Sequence, residues 1–144
     1  GGGDGDGDGD GDEADVQLTF TGNCAPAFDD DLVVASNAES IAITDVTGVF
    51  ASIQFDLHQT SGTIEISTAE RVATGDVINV VDGTTWSNIA TEEPDPISGT
   101  VIVNDYQEQA GIIDLELVDV VLFNLSNETF CTVDGTIVTT GNSF

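Results

Sequence analysis

Short stretches in which apolar and polar residues alternate constrain the fold of this chain more than any other feature. Between positions 49 and 57, the residues Val49, Ala51, Ile53, Phe55 and Leu57 alternate with polar or small ones. Side chains of an extended strand point alternately to opposite faces, so a period of two places these five on one face. The stretch therefore predicts a strand with one buried face and one face in water.

Further stretches have the same texture and are separated by Gly, Asn, Asp and Thr, which is typical of strands joined by turns. They are residues 16–21, 32–35, 41–46, 63–67, 77–81, 99–106, 112–123 and 130–139. The second half of 112–123 is apolar on both faces, which predicts a central strand or one covered by a partner. Only residues 27–38 offer a weak helical alternative, so no crossover helix is available to join parallel strands. The sequence predicts an all-β fold, an antiparallel β-sandwich or jelly roll.

The first fifteen residues differ in composition from the rest. They consist of seven glycines, seven acidic residues and one alanine, and have no large apolar side chain with which to form a core. Residues 16–144 are long enough for one ordinary core but not for two. We therefore expect an extended acidic Gly/Asp-rich arm at residues 1–15, attached to one β-sandwich domain at residues 16–144.

The charge of the chain is strongly one-sided, with 27 acidic residues, one Arg, no Lys and a formal net charge of −26. Nucleic acids and anionic membrane surfaces are excluded as partners, because binding to them needs clustered Lys or Arg and Arg71 stands alone. Repulsion between like charges opposes compaction, so either high salt or bound cations should belong to the working state. The same composition would be typical of a protein from a salt-loving organism.

The local order of the acids indicates a cation site. Five aspartates alternate with glycine near the N-terminus: Asp4, Asp6, Asp8, Asp10 and Asp12. In an extended chain their carboxylates project to one side, roughly 6.6 Å apart. Calcium takes about six to eight oxygen ligands and tolerates irregular geometry, so it can bridge carboxylates at this spacing. The repeat therefore predicts a Ca2+ site.

The stretch Asp4-Gly5-Asp6-Gly7-Asp8-Gly9, followed by Asp15, resembles the D-x-D-x-D-G calcium loops of EF-hands. It is more similar to the extracellular loops of dockerin and thrombospondin type 3 repeats. The resemblance implies that Asp15 stands where a bidentate Glu usually closes the site.

Two further acidic clusters could complete a calcium site from another part of the chain. They are Asp29, Asp30 and Asp31, and Glu92, Glu93 and Asp95. The alternative for the N-terminal repeat is a flexible acidic spacer, of the kind that follows the lipid-bearing cysteine of many bacterial surface lipoproteins.

The two cysteines, Cys24 and Cys131, belong to no CxxC or Cys/His metal pattern. We predict one disulfide between them, which indicates an oxidising compartment; two buried free thiols are the alternative. No apolar stretch approaches the ~20 residues of a membrane span. The chain has no initiator Met or signal peptide, so we expect a processed extracellular or cell-surface protein.

Catalytic patterns are absent from the sequence. His58 is the only histidine and is predicted to be an exposed strand residue, and no serine lies in a G-x-S-x-G elbow. Trp86 and Tyr106 are expected to pack in the core, with a sugar-stacking platform as the alternative. The sequons at Asn124 and Asn127 offer glycan sites in a host with N-glycosylation. We therefore do not expect an enzyme.

These observations predict an extracellular structural subunit, stabilised by calcium, that assembles with copies of itself into a filament or surface layer. Residues 16–20 fit the role of a shared β-strand, and the chain has no Lys and few Pro to protect an exposed sheet edge. In outline this is similar to bacterial and archaeal fibre subunits that polymerise by donor-strand exchange. The alternative is a monomeric secreted or lipid-anchored module that binds carbohydrate or protein and carries structural calcium.

Overall fold

The computed structural model describes residues 14–24, 26, 28, 32–36, 40–45 and 51–141. Within these residues the chain forms ten strands and one short helix. In order they are β1 (Ala14–Gly22), β2 (Leu32–Ser36), β3 (Ile41–Asp45), β4 (Ser52–Asp56), β5 (Gly62–Glu65), α1 (Thr68–Thr74), β6 (Val77–Val81), β7 (Thr85–Ser87), β8 (Ser98–Gln107), β9 (Ile112–Asn124) and β10 (Thr129–Thr139). The predicted all-β class is confirmed.

The strands form one hydrogen-bonded antiparallel sheet that curls into a half-barrel. Its order is β1-β10-β9-β7-β6-β4-β3-β2, and β8 pairs with both β9 and β5. Each strand pair in it is antiparallel, as expected for a chain without crossover helices.

The long strand β9 lies in the middle of the sheet, as its apolar second half predicts. It pairs with β10 along one edge and with β8 and then β7 along the other. Leu122, Phe123 and Asn124 are buried in succession because both faces of the strand are covered at this end. The register with both neighbours shifts beside Asp119, whose φ is 49°. Such bulges bend and twist a strand, which helps the sheet to curl.

The concave side of the sheet holds the core, to which the alternating apolar residues contribute. The largest side chains that are fully buried there are Val34, Ile41, Ile43, Ile53, Phe55, Ile78, Val80, Ile113, Leu115, Leu117, Leu122 and Ile137. They come from six of the strands, so burial of apolar surface holds the curled sheet together.

Strand β1 lies at one end of the sheet and pairs with β10 along its whole length, from Ala14 opposite Thr139 to Gly22 opposite Cys131. The backbones of β1 and β10 approach each other closely at Gly135. Gly135 of β10 has a φ of +127°, and a Cβ atom there would collide with the carbonyl oxygen of Gln17. Glycine is therefore required at this position.

Two elements were not predicted from the sequence. Helix α1 has no buried residue, so it lacks the apolar stripe that periodicity detects. Its caps are nevertheless encoded: the hydroxyl of Ser67 accepts from the N–H of Glu70 at 2.9 Å, and Gly75 ends the helix in the left-handed conformation. Strand β7, at three residues, is too short to show a period. The weak helical alternative at residues 27–38 is wrong, since Leu32–Ser36 is strand β2.

Candidate functional site

The predicted disulfide is present. Cys24, just after β1, is bonded to Cys131 of β10, and both residues are buried. The bond closes a loop with a sequence separation of 107.

The predicted calcium ligands fall mostly outside the described residues: Asp4, Asp6, Asp8, Asp10, Asp12, Asp29, Asp30 and Asp31. Asp15 is described. It is exposed on β1, and its carboxylate accepts hydrogen bonds from the Gln17 amide at 3.2 and 3.3 Å. Within the part of the chain that the structure describes, no three His, Cys, Asp or Glu side chains are grouped to hold a metal ion. The calcium site thus stays a prediction.

The three acidic residues between positions 92 and 95 have different environments. Glu92 and Glu93 are exposed. The Asp95 carboxylate accepts from the N–H and hydroxyl of Thr68 at 2.7 and 2.8 Å and from the N–H of Ile97 at 3.0 Å. Although burial raises the pKa of Asp95, these hydrogen bonds hold it below its ordinary value. These hydrogen bonds connect the loop that contains Asp95 to the start of α1.

The two candidate aromatic residues are core residues, as expected. Trp86 and Tyr106 are each 3% exposed. The indole N–H of Trp86 donates to the Thr129 hydroxyl at 3.1 Å, and the Tyr106 hydroxyl donates to the carbonyl oxygen of Phe55 at 3.2 Å. Neither ring offers a sugar-stacking face.

The two sequons differ in accessibility. Asn124 is buried, and its amide donates to the Thr84 hydroxyl at 2.7 Å and accepts from the N–H of Ser126 at 2.8 Å. Asn127 is exposed. Of the two asparagines, therefore, only Asn127 is accessible for glycosylation in the folded domain.

The most chemically organised site among the described residues surrounds His58, two residues beyond the end of β4. Nδ1 of its ring lies 3.0 Å from Oδ1 of Asp76, and the same oxygen accepts from the backbone N–H of His58 at 2.8 Å. Asp76 is 2% exposed and precedes β6, whereas the His58 side chain is half exposed. Nε2 of His58 lies 3.7 Å from Oδ1 of Asp56. A buried carboxylate thus orients a histidine whose other nitrogen remains accessible.

A second carboxyl group, Glu70 of α1, lies against Asp76. Its Oε2 accepts from the Thr74 hydroxyl at 2.8 Å, while Oε1 is buried and has no hydrogen-bond partner among the described residues when the group is ionised. Burial and the neighbouring Asp76 raise the pKa of Glu70 to about 7. Two adjacent carboxylates resist ionising together, so a proton on Glu70 can bond to Asp76 and satisfy Oε1.

The neighbouring carboxyl groups affect the protonation state of His58. Burial raises the pKa of Asp76, but hydrogen bonds from Glu70, His58 and Thr74 outweigh it and keep the pKa below its ordinary value. The hydrogen bond to the ionised Asp76 raises the pKa of His58 above 6.5, against a smaller opposing effect of burial. The site can therefore hold or release protons near neutral pH.

His58 opens onto a surface cavity of about 670 Å³ between the end of β4 and the β8–β9 turn. The cavity is lined by Leu57, His58, Gln59, Thr60, Tyr106, Gln107, Glu108, Gln109 and Ala110. Burial raises the pKa of Tyr106 to about 12, so this residue stays neutral at physiological pH. Apolar surface with a few convergent polar groups is typical of a small-molecule site.

The His58 site was missed because it is assembled from separate elements. His58 was assigned to the exposed face of a strand, but the strand ends at Asp56 and the ring turns to Asp76. Only the Ser67-x-x-Glu70 capping box could have located α1. The pairing of Glu70 with Asp76 depends on how α1 leads into β6, which has no sequence signature.

Comparisons with protein-family models, with curated proteins and with solved structures found no match to this chain. The described residues include no helix that is long and apolar enough to span a membrane. The function is therefore inferred from the residues of the chain itself.

Proposed function

We propose that the chain is an extracellular structural subunit that joins copies of itself along strand β1, with calcium bound by the acidic arm. The observation that carries this proposal is the end of the sheet: among the described strands β1 is hydrogen-bonded only to β10, and it approaches β2 without pairing with it. The strand follows directly on the predicted calcium arm.

The disulfide supports an extracellular location. Disulfides persist in oxidising compartments and are rare in the cytosol. Cys24 and Cys131 are both buried, and the bond joins two parts of the chain that are distant in sequence. This type of closure is typical of domains that work outside the cell.

The surface of β1 favours a second copy as its partner. The side chains of Val16, Leu18 and Phe20 are only partly buried, and with Pro26 and Phe28 they line a cavity of about 270 Å³. On the other face β1 presents Gln17, Thr19 and Thr21, and Asp15 is its only acidic residue. In a protein of net charge −26, such a nearly neutral strand lets two copies approach with little repulsion. An added strand would use main-chain hydrogen bonds and cover the half-buried apolar side chains.

The disulfide changes how strand sharing would proceed. Gly22 pairs with Cys131, and Cys24, two residues later, is bonded to that same residue. If β1 moved to a neighbouring copy, two residues spanning at most about 7 Å would have to bridge two molecules. We therefore propose addition of a neighbour to the outer edge of β1, with β1 kept in its own sheet.

Calcium has a defined role in this assembly. Contact at β1 brings the charged arm of one copy near the neighbouring copy, because the arm at residues 1–15 runs into β1, which begins at Ala14. Bridging of the carboxylates of Asp4, Asp6, Asp8, Asp10, Asp12 and Asp15 would remove much of the repulsion. Asp29, Asp30 and Asp31 are the further candidate ligands.

Light scattering coupled to size exclusion tests the assembly. Polymers should form in calcium and dissolve into monomers in chelator. Thr19→Asp, on β1, should prevent polymers, because it adds charge at the junction. The matched control Thr136→Asp adds the same charge to an exposed site on β10, a strand with neighbours on both sides, and should polymerise normally. A wild type that stays monomeric in calcium at high concentration contradicts the proposal.

Calorimetric titration tests the arm independently. Changing Asp4, Asp6 and Asp8 to Asn should remove most of the heat of calcium binding. A control in which the exposed Glu65, Glu116 and Glu128 become Gln lowers the net charge equally and should bind as the wild type does. Equal heats in all three proteins would place calcium elsewhere.

A monomeric binding module is the second candidate, and the cavity beside His58 favours it. A cavity of this size fits a small ligand, whereas an assembly subunit has no need of one. In either case a glycan, where the host adds one, would be attached at Asn127. Mass spectrometry of protein from such a host, with Asn127→Gln as control, checks that attachment.

A further inference from the structure

We propose that the cavity beside His58 binds a small organic ammonium ion, with the aliphatic part on an apolar floor and the charge directed toward Glu108 and His58. The cavity shares no residue with β1, so ligand binding here is independent of assembly along β1. The proposed structural role does not use this cavity.

The floor of the cavity is apolar. Leu57 is 3% exposed and lies beside Tyr106, whose hydroxyl accepts from the N–H of Leu57 at 3.1 Å. Ala110 also lines the cavity. An alkyl chain of a few carbons would be buried here, and the burial of each methylene favours binding.

One carboxylate lies in the wall of the cavity, and two more flank the lining residue His58. Glu108 lines the cavity, with its carboxylate 3.5 Å from the Tyr106 hydroxyl. Asp56 and Asp76 flank His58 from two sides, at 3.7 and 3.0 Å. Burial and the neighbouring Asp76 raise the pKa of Glu70, behind Asp76, to about 7, and burial raises the pKa of Tyr106 to about 12. The single arginine of the chain is engaged elsewhere, where Arg71 donates to the Ser87 hydroxyl at 2.9 Å.

This combination selects a cation. Clefts lined by one sign of charge and by low-dielectric walls concentrate ligands of the opposite sign. Three carboxylates face His58, so an anion would be repelled and a neutral alcohol would gain only the apolar floor. Above the pKa of His58 the imidazole is neutral, and its accessible nitrogen can accept a hydrogen bond from an ammonium group. A bound cation and a proton on His58 then compete for the same carboxylates.

Nuclear magnetic resonance provides a direct test because His58 is the only histidine. n-Butylammonium, n-butanol and n-butyrate have nearly the same shape and differ in charge. Each is titrated into the protein at fixed ionic strength and at a pH above the pKa of His58. We expect saturable shifts of the His58 ring signals with n-butylammonium, binding at least fivefold weaker with n-butanol, and none with n-butyrate. Equal responses to n-butanol and n-butylammonium would overturn the proposal.

Two glutamate variants separate a specific site from general attraction to an acidic protein. Glu108→Gln should weaken n-butylammonium binding about fivefold. Glu116→Gln, on the exposed face of β9, removes the same charge far from the cavity and should leave binding unchanged. Saturating n-butylammonium should also lower the His58 pKa in the wild type. Equal losses in both variants, or an unchanged His58 pKa, would contradict a site at this cavity.

Discussion

Nδ1 of His58 lies 3.0 Å from Oδ1 of Asp76, and this oxygen also accepts from the backbone N–H of His58. The same carboxylate thus fixes both the ring and the backbone of the histidine. Because Asp76 is buried and stays ionised, the contact favours the imidazolium form of His58.

The first prediction concerns the titration of His58, whose pKa should lie above 6.5. Asp76→Asn removes the charge and should lower the pKa of His58, because the hydrogen bond to Asp76 is the largest cause of its raised value. Asp56→Asn, which removes only the more distant charge, should lower it by less. Ring-proton chemical shifts measured against pH check all three proteins, and equal effects of the two variants would contradict the dominant role of Asp76.

The second prediction concerns the pH dependence of folding. The pKa of Glu70 is raised to about 7, so its contribution to stability is fully present below about pH 4.5 and is lost as pH rises through 7. Glu70→Gln keeps a hydrogen-bond donor toward Asp76 without the charge. It should stabilise the protein above pH 8, on the order of 1 kcal/mol after allowance for solvent screening, because Glu70 is only partly buried. It should have little effect at pH 4.

Urea unfolding at pH 4 and at pH 8 measures this difference. Glu65→Gln, which removes a charge from an exposed site, is the control and should show no such pH dependence. If Glu70→Gln destabilises the protein equally at both pH values, the two carboxyl groups do not share a proton.

The sequence predicted the strands well because each half-buried strand carries its own period of two. The inward positions Ile41 and Ile43 of β3, for example, are buried, while the intervening Ala42 is only partly so. The central place of β9 could also be predicted, since burial of both faces at Leu122 and Phe123 requires apolar residues on both.

The candidate site was not predicted because long-range geometry creates it. His58 and Asp76 are far apart in sequence, and α1 lies between them without a buried face. Charge alone is no guide in a chain with 27 acidic residues; among those that the structure describes, only Asp76 is both buried and bonded to the histidine. The disulfide, in contrast, was predictable because the chain has only two cysteines.

The third prediction concerns Gly135, which allows β10 to lie close to β1. Gly135→Ala would place a methyl group against the carbonyl oxygen of Gln17 in a backbone conformation with φ of +127°. We expect a loss of at least 2 kcal/mol in the free energy of unfolding. Gly83→Ala is the control, since its φ is +75° but no atom lies within 4 Å of the added methyl. It should cost about 1 kcal/mol from backbone strain alone.

The fourth prediction concerns the disulfide as the element that keeps β1 in its own sheet. Replacing both Cys24 and Cys131 by Ser should lower the free energy of unfolding by about 2–5 kcal/mol, as is usual for a native disulfide. It should also release the end of β1 at Gly22, so that β1 can leave its own β10. At high concentration the double variant should form dimers that exchange β1, whereas the wild type should not.

Mixing isotope-labelled and unlabelled protein distinguishes exchange from edge addition. In an exchanged dimer, β1 amides contact β10 of the other molecule, so intermolecular nuclear Overhauser effects should connect Leu18 to Gly135, which are paired in the monomer. Treatment of the wild type with a reductant should produce the same dimers, because it opens the same bond. Exchanged dimers in the oxidised wild type would show that the two-residue step from Gly22 to Cys24 is enough to bridge two molecules, and the assembly would then proceed by exchange of β1.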